Sequence, residues 1–292
     1  MKNINIIGFN NLKLNCFLYE PEKPKAIIQI VHGMQEHGFR YDHFAEFLSS
    51  NGFIVLVSDL RGHGKTALSK DKMGVGEKDI FNETIEDQLL ISKYLKETYN
   101  LPLYIFGHSY GSFLTQKLAQ VNNLAEKFII CGTGNGSSFL ICMGNFVAGL
   151  FYAFGKKDKK ATTIEKLSIK GYGKKFPNGN WLTRDNKVFE AYQKDDFCGG
   201  SFPVSFYKSF FSGLRKLNKG ICQISQNKKI FLIVGDKDPV GENSKQVKSL
   251  YKLYLKNNKN VKLKIYPNCR HELINETNKE EVFNDCLAFF NE

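Results

Sequence analysis

Six continuous apolar runs constrain the fold of this chain more than any other sequence feature. Each run is rich in β-branched or aromatic residues and ends in Gly, Asp or His; the runs occupy residues 25–33, 53–64, 101–109, 127–134, 228–238 and 261–271. Strands that lack polar alternation are buried on both faces, as the strands of a parallel sheet are. The runs therefore predict a mostly parallel central sheet.

Segments with helical spacing of apolar residues separate these runs. They cover residues 41–50, 84–99, 112–122, 244–255 and 279–290. Alternation of strand and helix predicts an α/β fold in which helices cover both faces of the sheet. Ligands bind such folds at the carboxyl ends of the strands.

The alternation breaks between residues 135 and 227, which are dense in aromatic residues and contain no clear parallel strand. No linker rich in Pro or Gly marks this stretch as an independent domain. We therefore predict a core built from residues 1–134 and 228–292, and a mainly helical insertion at residues 135–227.

Composition restricts the possible partners. Lys and Arg total 41 against 29 Asp and Glu, a formal charge of +12 over 292 residues, but the lysines are scattered. Nucleic-acid modules carry dense basic runs with interleaved aromatic residues, so we expect no nucleic-acid partner.

Seven cysteines form no CxxC pair, and the N-terminal residues lack the unbroken apolar region of a signal peptide. These features predict a cytoplasmic protein with no metal site or disulfide framework.

One apolar segment must be compared in length with a membrane-spanning helix. Residues 139–154 are apolar except for Asn145 and glycines, and the sequence KKDKK follows them. A spanning helix needs about 18 to 20 residues, so we expect a buried or surface-docking helix here.

The sequence FGHSYGS places Ser109 between Gly107 and Gly111, directly behind an apolar run. A strand that turns abruptly into a helix needs glycines at such positions because backbones approach closely there. This context of strand, turn and helix is that of a nucleophile elbow, so Ser109 is the predicted nucleophile.

A serine hydroxyl needs a base, an acid that orients the base, and donors for the oxyanion. His271 is the predicted base and Asp238 the predicted acid, since each follows a predicted strand. Asp236 competes for the acid role. We prefer Asp238 because Pro239 keeps it extended.

Two backbone N–H groups are expected to bind the oxyanion. Tyr110 at the start of the helix supplies one, and Met34 in the loop after the first parallel strand supplies the other. Another histidine, His63 in the sequence DLRGHG, lies upstream of the serine, outside the expected order. We interpret it, with Asp59 and Arg61, as loop structure.

Together, the sequences HGMQEHGFRYDHFAEFL, DLRGHGKT, GHSYGS, GDKDPVG and RHELINE resemble the monoacylglycerol lipase and lysophospholipase branch of the α/β-hydrolases, often grouped with the serine aminopeptidases. The resemblance runs from about residue 25 to 290. It implies the same triad of Ser109, Asp238 and His271, the same oxyanion donors, no metal or organic cofactor, and a cap over the active site at residues 135–227.

The leading hypothesis is a serine hydrolase that cleaves carboxylic esters of lipid-like substrates, of the monoacylglycerol or lysophospholipid type, with possible membrane contact through the cap. Aromatic cap residues are available for an acyl channel: Phe139, Phe146, Phe151, Tyr152, Phe154 and Trp181. An aminopeptidase or amidase with the same triad, or a non-catalytic ligand-binding protein on the same scaffold, remains open. A dehalogenase is disfavoured because its nucleophile would be Asp.

Overall fold

The structure is a computed structural model that describes residues 1–137, 139–167 and 169–292. Its strands are β1 (Lys2–Ile7), β2 (Lys13–Tyr19), β3 (Ala26–Val31), β4 (Phe53–Ser58), β5 (Leu103–His108), β6 (Ala125–Cys131), β7 (Lys229–Gly235) and β8 (Asn260–Tyr266). Its helices are α1 (Asp42–Ser50), α2 (Ile80–Tyr99), α3 (Tyr110–Val121), α4 (Phe139–Ala153), α5 (Thr162–Leu167), α6 (Ile169–Gly173), α7 (Asn186–Lys194), α8 (Val204–Leu217), α9 (Lys245–Lys256) and α10 (Lys279–Asn291).

An eight-stranded sheet with the order β1-β2-β4-β3-β5-β6-β7-β8 forms the centre of the molecule. The strands from β3 to β8 pair in parallel, as predicted from the six apolar runs. One apolar layer packs α1 and α10 on the sheet, and a second layer on the other face contains side chains of α2, α3 and α9. The predicted α/β-hydrolase fold class is confirmed.

The six apolar runs did not predict strands β1 and β2. They form an antiparallel hairpin, and β2 also pairs antiparallel with β4. The hairpin lies at the edge of the sheet, where β1 alternates exposed and less exposed residues and carries Asn3 and Asn5. An edge strand of this kind lacks the continuous apolar run that identifies a strand buried on both faces.

Helix α2 begins four residues earlier than its apolar stripe predicts. The Asp79 side chain caps it by accepting from the Asn82 amide, and Glu83 accepts from the amides of Glu77, Lys78 and Asp79. These carboxylates satisfy amides that a helix start leaves without partners, which extends the helix towards its N-terminus.

Helices α4 to α8 lie between β6 and β7, so the mainly helical cap insertion is confirmed, whereas its exact limits at residues 135 and 227 stay a prediction. The cap is attached to the core through α8. There the Ser209 hydroxyl bonds both to the Asp79 side chain and to the Phe81 amide. Within the described residues, no helix has both the length and the apolar composition that a bilayer span requires.

The turn between β5 and α3 depends on two glycines. A Cβ at Gly107 would lie well inside 3.0 Å of the Thr115 hydroxyl, and a Cβ at Gly111 would meet the carbonyl oxygens of Val31 and His32 equally closely. Because these carbonyls belong to β3 and its following loop, Gly111 allows α3 to start directly against the central sheet.

We expect Gly111→Ala to destabilise the protein by about 3 kcal/mol, since the added methyl group must displace backbone atoms rather than a flexible side chain. Urea unfolding measures this loss. Gly149→Ala is the matched control: that glycine lies inside α4, its nearest neighbour is the end of the Lys208 side chain, and alanine there should be neutral or stabilise by up to about 1 kcal/mol.

Candidate active site

Ser109 occupies the apex of the turn between β5 and α3 in a strained backbone conformation. Its φ is 52° and its ψ is −118°, a combination that costs energy for a residue with a Cβ. The turn is held because the Ser109 amide donates to the Cys131 carbonyl at 3.0 Å, while its own carbonyl accepts from Ser112 and Phe113. Ser109 lines a cavity beneath the cap.

His271 and Asp238 are in direct contact. His271 Nδ1 lies 2.9 Å from Asp238 Oδ1, and both side chains are almost fully buried. Asp238 Oδ1 also accepts from the Val240 amide at 2.8 Å, which fixes the carboxylate. Asp236, the competing acid, instead lies 3.7 Å from the Lys237 ammonium group. The geometry favours Asp238 as the partner of the histidine.

The second nitrogen of His271, Nε2, is available for catalysis. Nε2 is buried and has no hydrogen-bond partner among the described residues. Both His271 and Ser109 line one cavity of about 290 Å³. Hydrogen bonds between catalytic groups often tighten only when substrate is bound, so this arrangement suits a base that acts on Ser109.

The amides of Met34 and Tyr110 are unpaired within the part of the chain that the structure describes. Both residues line the cavity with Ser109. Tyr110 is the first residue of α3, where the helix dipole favours negative charge. The Met34 loop is shaped by its neighbours, since the Gly33 amide donates to Glu36 and Gln35 has a positive φ of 60°.

A buried ion cluster behind the site was missed by sequence reasoning. Arg40 forms two hydrogen bonds to Glu272, at 2.8 and 2.7 Å, and a third to Glu36. Glu36 also accepts from Tyr41 at 2.8 Å and lies 3.3 Å from His108 Nδ1. Glu36 and Glu272 belong to two of the recognised motifs, but nothing in the sequence indicates that they share one arginine.

Burial and charge act in opposite directions on this cluster. Burial alone would raise the pKa of Glu36 and of Glu272, but the Arg40 guanidinium holds both pKa values below the usual range. Burial alone would likewise lower the pKa of His108, but the neighbouring Glu36 raises it. Both carboxylates are therefore charged at neutral pH.

A cap segment, residues 180–184, clamps the loop that carries His271. The Glu272 amide donates to the Leu182 carbonyl at 2.7 Å, and the Arg270 guanidinium donates to the carbonyls of Asn180 and Thr183. Trp181 in the same segment lies 5.0 Å from the His271 ring, centroid to centroid. The sequence marked this segment as part of the cap, but not as a partner of the histidine.

The cavity wall differs from the predicted acyl channel. Of the six predicted aromatic residues, Trp181 is the one that lines it; Phe146 and Phe154 are 66% and 76% exposed, and the Phe139 side chain lies outside the described residues. Other aromatic residues line the cavity instead: Phe113, Tyr172, Tyr192, Tyr207, Phe210 and Phe211. The three- and four-residue spacing of Tyr207, Phe210 and Leu214 in α8 was the available signal.

The loop DLRGHG is structural, as predicted. His63 is fully buried, its Nδ1 bonds to the Arg61 carbonyl, and its ring stacks on Tyr110. Asp59 accepts from the amides of Gly38 and Lys65, which holds two loops together.

His37, Asp195 and Cys198 form a group whose potential metal-ligand atoms lie within 4.8 Å of one another. His37 Nε2 and Asp195 Oδ2 already partner each other at 2.9 Å, and burial raises the pKa of the Cys198 thiol. The group is therefore explained as a polar bridge between cap and core, and no catalytic step is assigned to a metal there.

The class of protein follows from this fold and site together with the comparisons. A family model described as serine aminopeptidase, S33, matches residues 22–278, and the chain belongs to this α/β-hydrolase family. The family resemblance drawn from the sequence motifs is thereby confirmed.

Three known proteins illustrate the similarity. A monoglyceride lipase homolog of Monkeypox virus is 26% identical over 278 residues, which cover 94% of this chain and 92% of that protein. Phospholipase YtpA of Bacillus subtilis is 25% identical over 280 residues, which cover 93% and 97%. The solved structure of a thermostable carboxyl esterase from Bacillus coagulans has a TM-score of 0.91 at 26% identity and covers 99% of this chain and 97% of its own.

We expect Arg40→Met to lower the free energy of unfolding by about 3–5 kcal/mol at pH 8, because two buried carboxylates lose their cation. In the wild type, the pKa values of Glu36 and Glu272 are lower in the folded than in the unfolded state, so both carboxylates contribute to the free energy of unfolding at neutral pH. This contribution is lost as the pH falls below the unfolded-state pKa of about 4.3. Without Arg40, burial should raise both pKa values, so the deficit should shrink between pH 8 and pH 5.5.

Urea unfolding at the two pH values tests this. Lys2→Met is the control, since it removes an ion pair with Glu20 whose side chains are 70% and 30% exposed, and it should cost less than about 1 kcal/mol at either pH. An Arg40→Met deficit that is independent of pH would contradict the role of the two carboxylates.

Proposed function

We propose that the protein is a serine hydrolase that cleaves carboxylic esters of lipid-like substrates through an acyl-enzyme on Ser109. The observation that carries this proposal is the contact of buried Asp238 with His271, which lines the same cavity as the strained Ser109. The names of its relatives, a monoglyceride lipase homolog, a phospholipase and a carboxyl esterase, support ester hydrolysis as the reaction class.

In this mechanism, Ser109 Oγ attacks the ester carbonyl carbon while His271 Nε2 takes the hydroxyl proton. Asp238 keeps His271 oriented and stabilises the imidazolium that forms. The amides of Met34 and Tyr110 donate to the oxyanion. When the tetrahedral intermediate collapses, the ester bond breaks and Nε2 protonates the departing alcohol.

Water then repeats these steps on the acyl-enzyme. His271 Nε2 removes a proton from the water as its oxygen attacks the acyl carbon, and the bond to Ser109 Oγ breaks. Nε2 returns the proton to Oγ, which restores the enzyme and releases a fatty acid. No cofactor takes part in this sequence, and residues 135–227 act as the cap that covers it.

An apolar wall next to Ser109 supports a lipid-like acyl group. Side chains from α4 and α8 line the cavity there: Ile141, Met143, Val147, Phe210, Phe211 and Leu214. Phe210 packs against Tyr110 at a centroid distance of 5.5 Å, which places this wall beside the proposed oxyanion donor. Burying an acyl chain against it contributes about 0.8 kcal/mol for each methylene group.

An aminopeptidase or amidase is the second candidate. It would need a carboxylate to hold a free amine, and five cap acids were available: Glu165, Asp185, Glu190, Asp195 and Asp196. None of these is among the described residues that line the cavity. Glu165 instead accepts from Ser201, Phe202 and Tyr207, and Asp185 caps α7. Glu242 of the core also lines the cavity and could hold an amine, so the ester reading is favoured by the names of the relatives rather than by the absence of a carboxylate.

We expect p-nitrophenyl esters to be cleaved with a rate optimum at long acyl chains, monoacylglycerol to be cleaved, and aminoacyl anilides to be left intact. Ser109→Ala should lower kcat/KM by about 10³-fold or more. Equal turnover by Ser109→Ala and the wild type would refute Ser109 as the nucleophile, and preferential cleavage of the anilides would identify a peptidase.

Substitutions of Asp238 and Asp236 provide a test and its matched control in the same assay. Asp238→Asn should lower kcat by about 10³- to 10⁴-fold, since an amide no longer stabilises the imidazolium. Asp236→Asn should stay within about twofold, because Asp236 contacts Lys237 rather than His271. The opposite ranking would assign the acid role to Asp236.

We also propose that the cap contacts a membrane surface from a cytoplasmic location. Met143, Phe146, Leu150 and Phe154 share one stripe along α4 and its end, and all four are between 44% and 76% exposed. Lys156, Lys157, Lys159 and Lys160 follow them. An apolar stripe beside a basic cluster suits an anionic lipid surface. The cytoplasmic assignment rests on the seven free thiols.

Sedimentation with vesicles tests this surface. The wild type should bind vesicles that contain anionic phosphatidylglycerol more strongly than vesicles of phosphatidylcholine alone, and Phe146→Ser with Phe154→Ser should abolish the binding. Leu255→Ser at the end of α9 is the control, since Leu255 is also exposed at 46% but lies outside the stripe. Binding that the phenylalanine substitutions leave unchanged would rule out α4 as the docking element.

A further inference from the structure

The cavity has two chemically different sides. The side formed by α4 and α8 is apolar, as described above. A second group of lining residues contains Tyr172, Trp181, Glu242 and Gln246. Tyr172 lies 5.3 Å from Trp181, Trp181 lies 5.0 Å from His271, and the charge of Glu242 acts on Tyr172, so this side extends from the proposed base towards Glu242.

The proposed reaction gives this second side a role. His271 must protonate the departing alcohol, so the alcohol portion of the ester has to lie next to His271. The acyl chain then occupies the apolar side. Residues that adjoin His271 and carry polar groups therefore contact the alcohol portion.

Glu242 is held at this side by an unusual loop. Glu242, Asn243 and Ser244 have successive positive φ values of 49°, 52° and 71°, a run that residues with a Cβ rarely adopt. The Asn243 amide donates to the Asp238 carbonyl at 2.8 Å, so the loop is tied to the acid of the triad. Glu242 Oε1 accepts from Gln246 Nε2 at 2.8 Å, which orients the carboxylate.

The charge environment of Glu242 differs from that of the other carboxylates that line the cavity. Glu36 and Glu272 also line the cavity, but Arg40 is bound to both of them. Glu242 forms no ion pair with any side chain that the structure describes, a set that leaves out the side chains of residues 167–170, and it is only half-buried. The alcohol side of the cavity therefore carries a negative charge, although the protein as a whole has a formal charge of +12.

Tyr172 adds a hydrogen-bond donor to this side. Burial raises its pKa to about 12, and the charges of Asp238 and Glu242 act in the same direction. The hydroxyl therefore stays protonated at neutral pH. A neutral polyol can donate to the Glu242 carboxylate and accept from Tyr172, whereas a phosphate group would meet an uncompensated negative charge.

We propose that Glu242, supported by Gln246 and Tyr172, selects the alcohol portion of the ester by charge, accepting neutral hydroxyl-bearing alcohols and rejecting those with a phosphate next to the ester. This inference rests on the proposed function and narrows it. Of the two substrate types considered above, it favours neutral monoacylglycerol-type esters over esters of glycerol phosphate.

Three butyrate esters that share one acyl group test the proposal: 1-butyrylglycerol, 1-butyrylglycerol 3-phosphate and butyrylcholine. At pH 8 the phosphate is a dianion, since its second pKa is about 6. We expect kcat/KM for the neutral ester to exceed that for the phosphate ester at least tenfold, with the cationic ester not penalised. In Glu242→Gln the ratio of neutral to phosphate ester should fall about tenfold.

Two further variants separate charge from structure. Glu242→Asp keeps the charge and should keep most of the selectivity ratio. If the role of Glu242 were only structural, Glu242→Gln, which matches the shape more closely, should keep the ratio at least as well as Glu242→Asp. Glu190→Gln removes one exposed cap carboxylate outside the cavity and should leave the ratio at its wild-type value. Added salt should lower the wild-type ratio by screening Glu242 and should affect Glu242→Gln much less.

The possible outcomes are distinct. Equal ratios in the wild type and Glu242→Gln would overturn the charge selection while leaving ester hydrolysis intact. Absence of turnover with all three esters and with the p-nitrophenyl esters would instead overturn the proposed function. A ratio that falls equally in Glu190→Gln would assign the effect to overall charge and reject the specific role of Glu242.

Discussion

The interaction on which the active site depends most is the bonding of Arg40 to two buried carboxylates. Glu36 belongs to the loop after β3, which carries the candidate oxyanion donor Met34, and Glu272 directly follows His271. One guanidinium therefore ties the loop that carries Met34 to the loop that carries His271. The Tyr192 ring of the cap covers the guanidinium at 4.9 Å, so the cap shields the same ion cluster from water.

Some segments of the cap are bonded firmly to the core, and others are exposed to solvent. Residues 180–184 are bonded to the loop at residues 270–276, for example through Arg184 and Glu276, and α8 is bonded to the start of α2. Helix α4, by contrast, presents large apolar side chains to solvent. The firmly attached part of the cap covers the proposed base, while the exposed part lies beside the apolar wall that would receive an acyl chain.

Much of the fold and the candidate triad could be predicted from the sequence. Five of the six parallel strands are buried, as their continuous apolar runs predict, whereas the sixth, β8, is a partly exposed edge strand. Ser109, Asp238 and His271 each lie just beyond the end of one of the six strands. The edge strand β1 escaped because its exposed residues remove that signal, and the buried strand β2 escaped because Asn15 interrupts its apolar residues. The partnership of Glu36, Arg40 and Glu272 escaped because Arg40 and Glu272 are 232 positions apart along the chain, and charge pairing over that separation leaves no local pattern.

Local sequence was sufficient to predict the buried strands, the glycines that permit the turn at Ser109, and the order of the catalytic candidates, because short-range chemistry determines each of them. Tertiary structure alone decided which aspartate meets His271, which aromatic residues line the cavity, and that Glu242 lines it with no ion pair to a described side chain. Those outcomes depend on distances between elements far apart in the chain, and such distances are set when the sheet, its loops and the cap pack together.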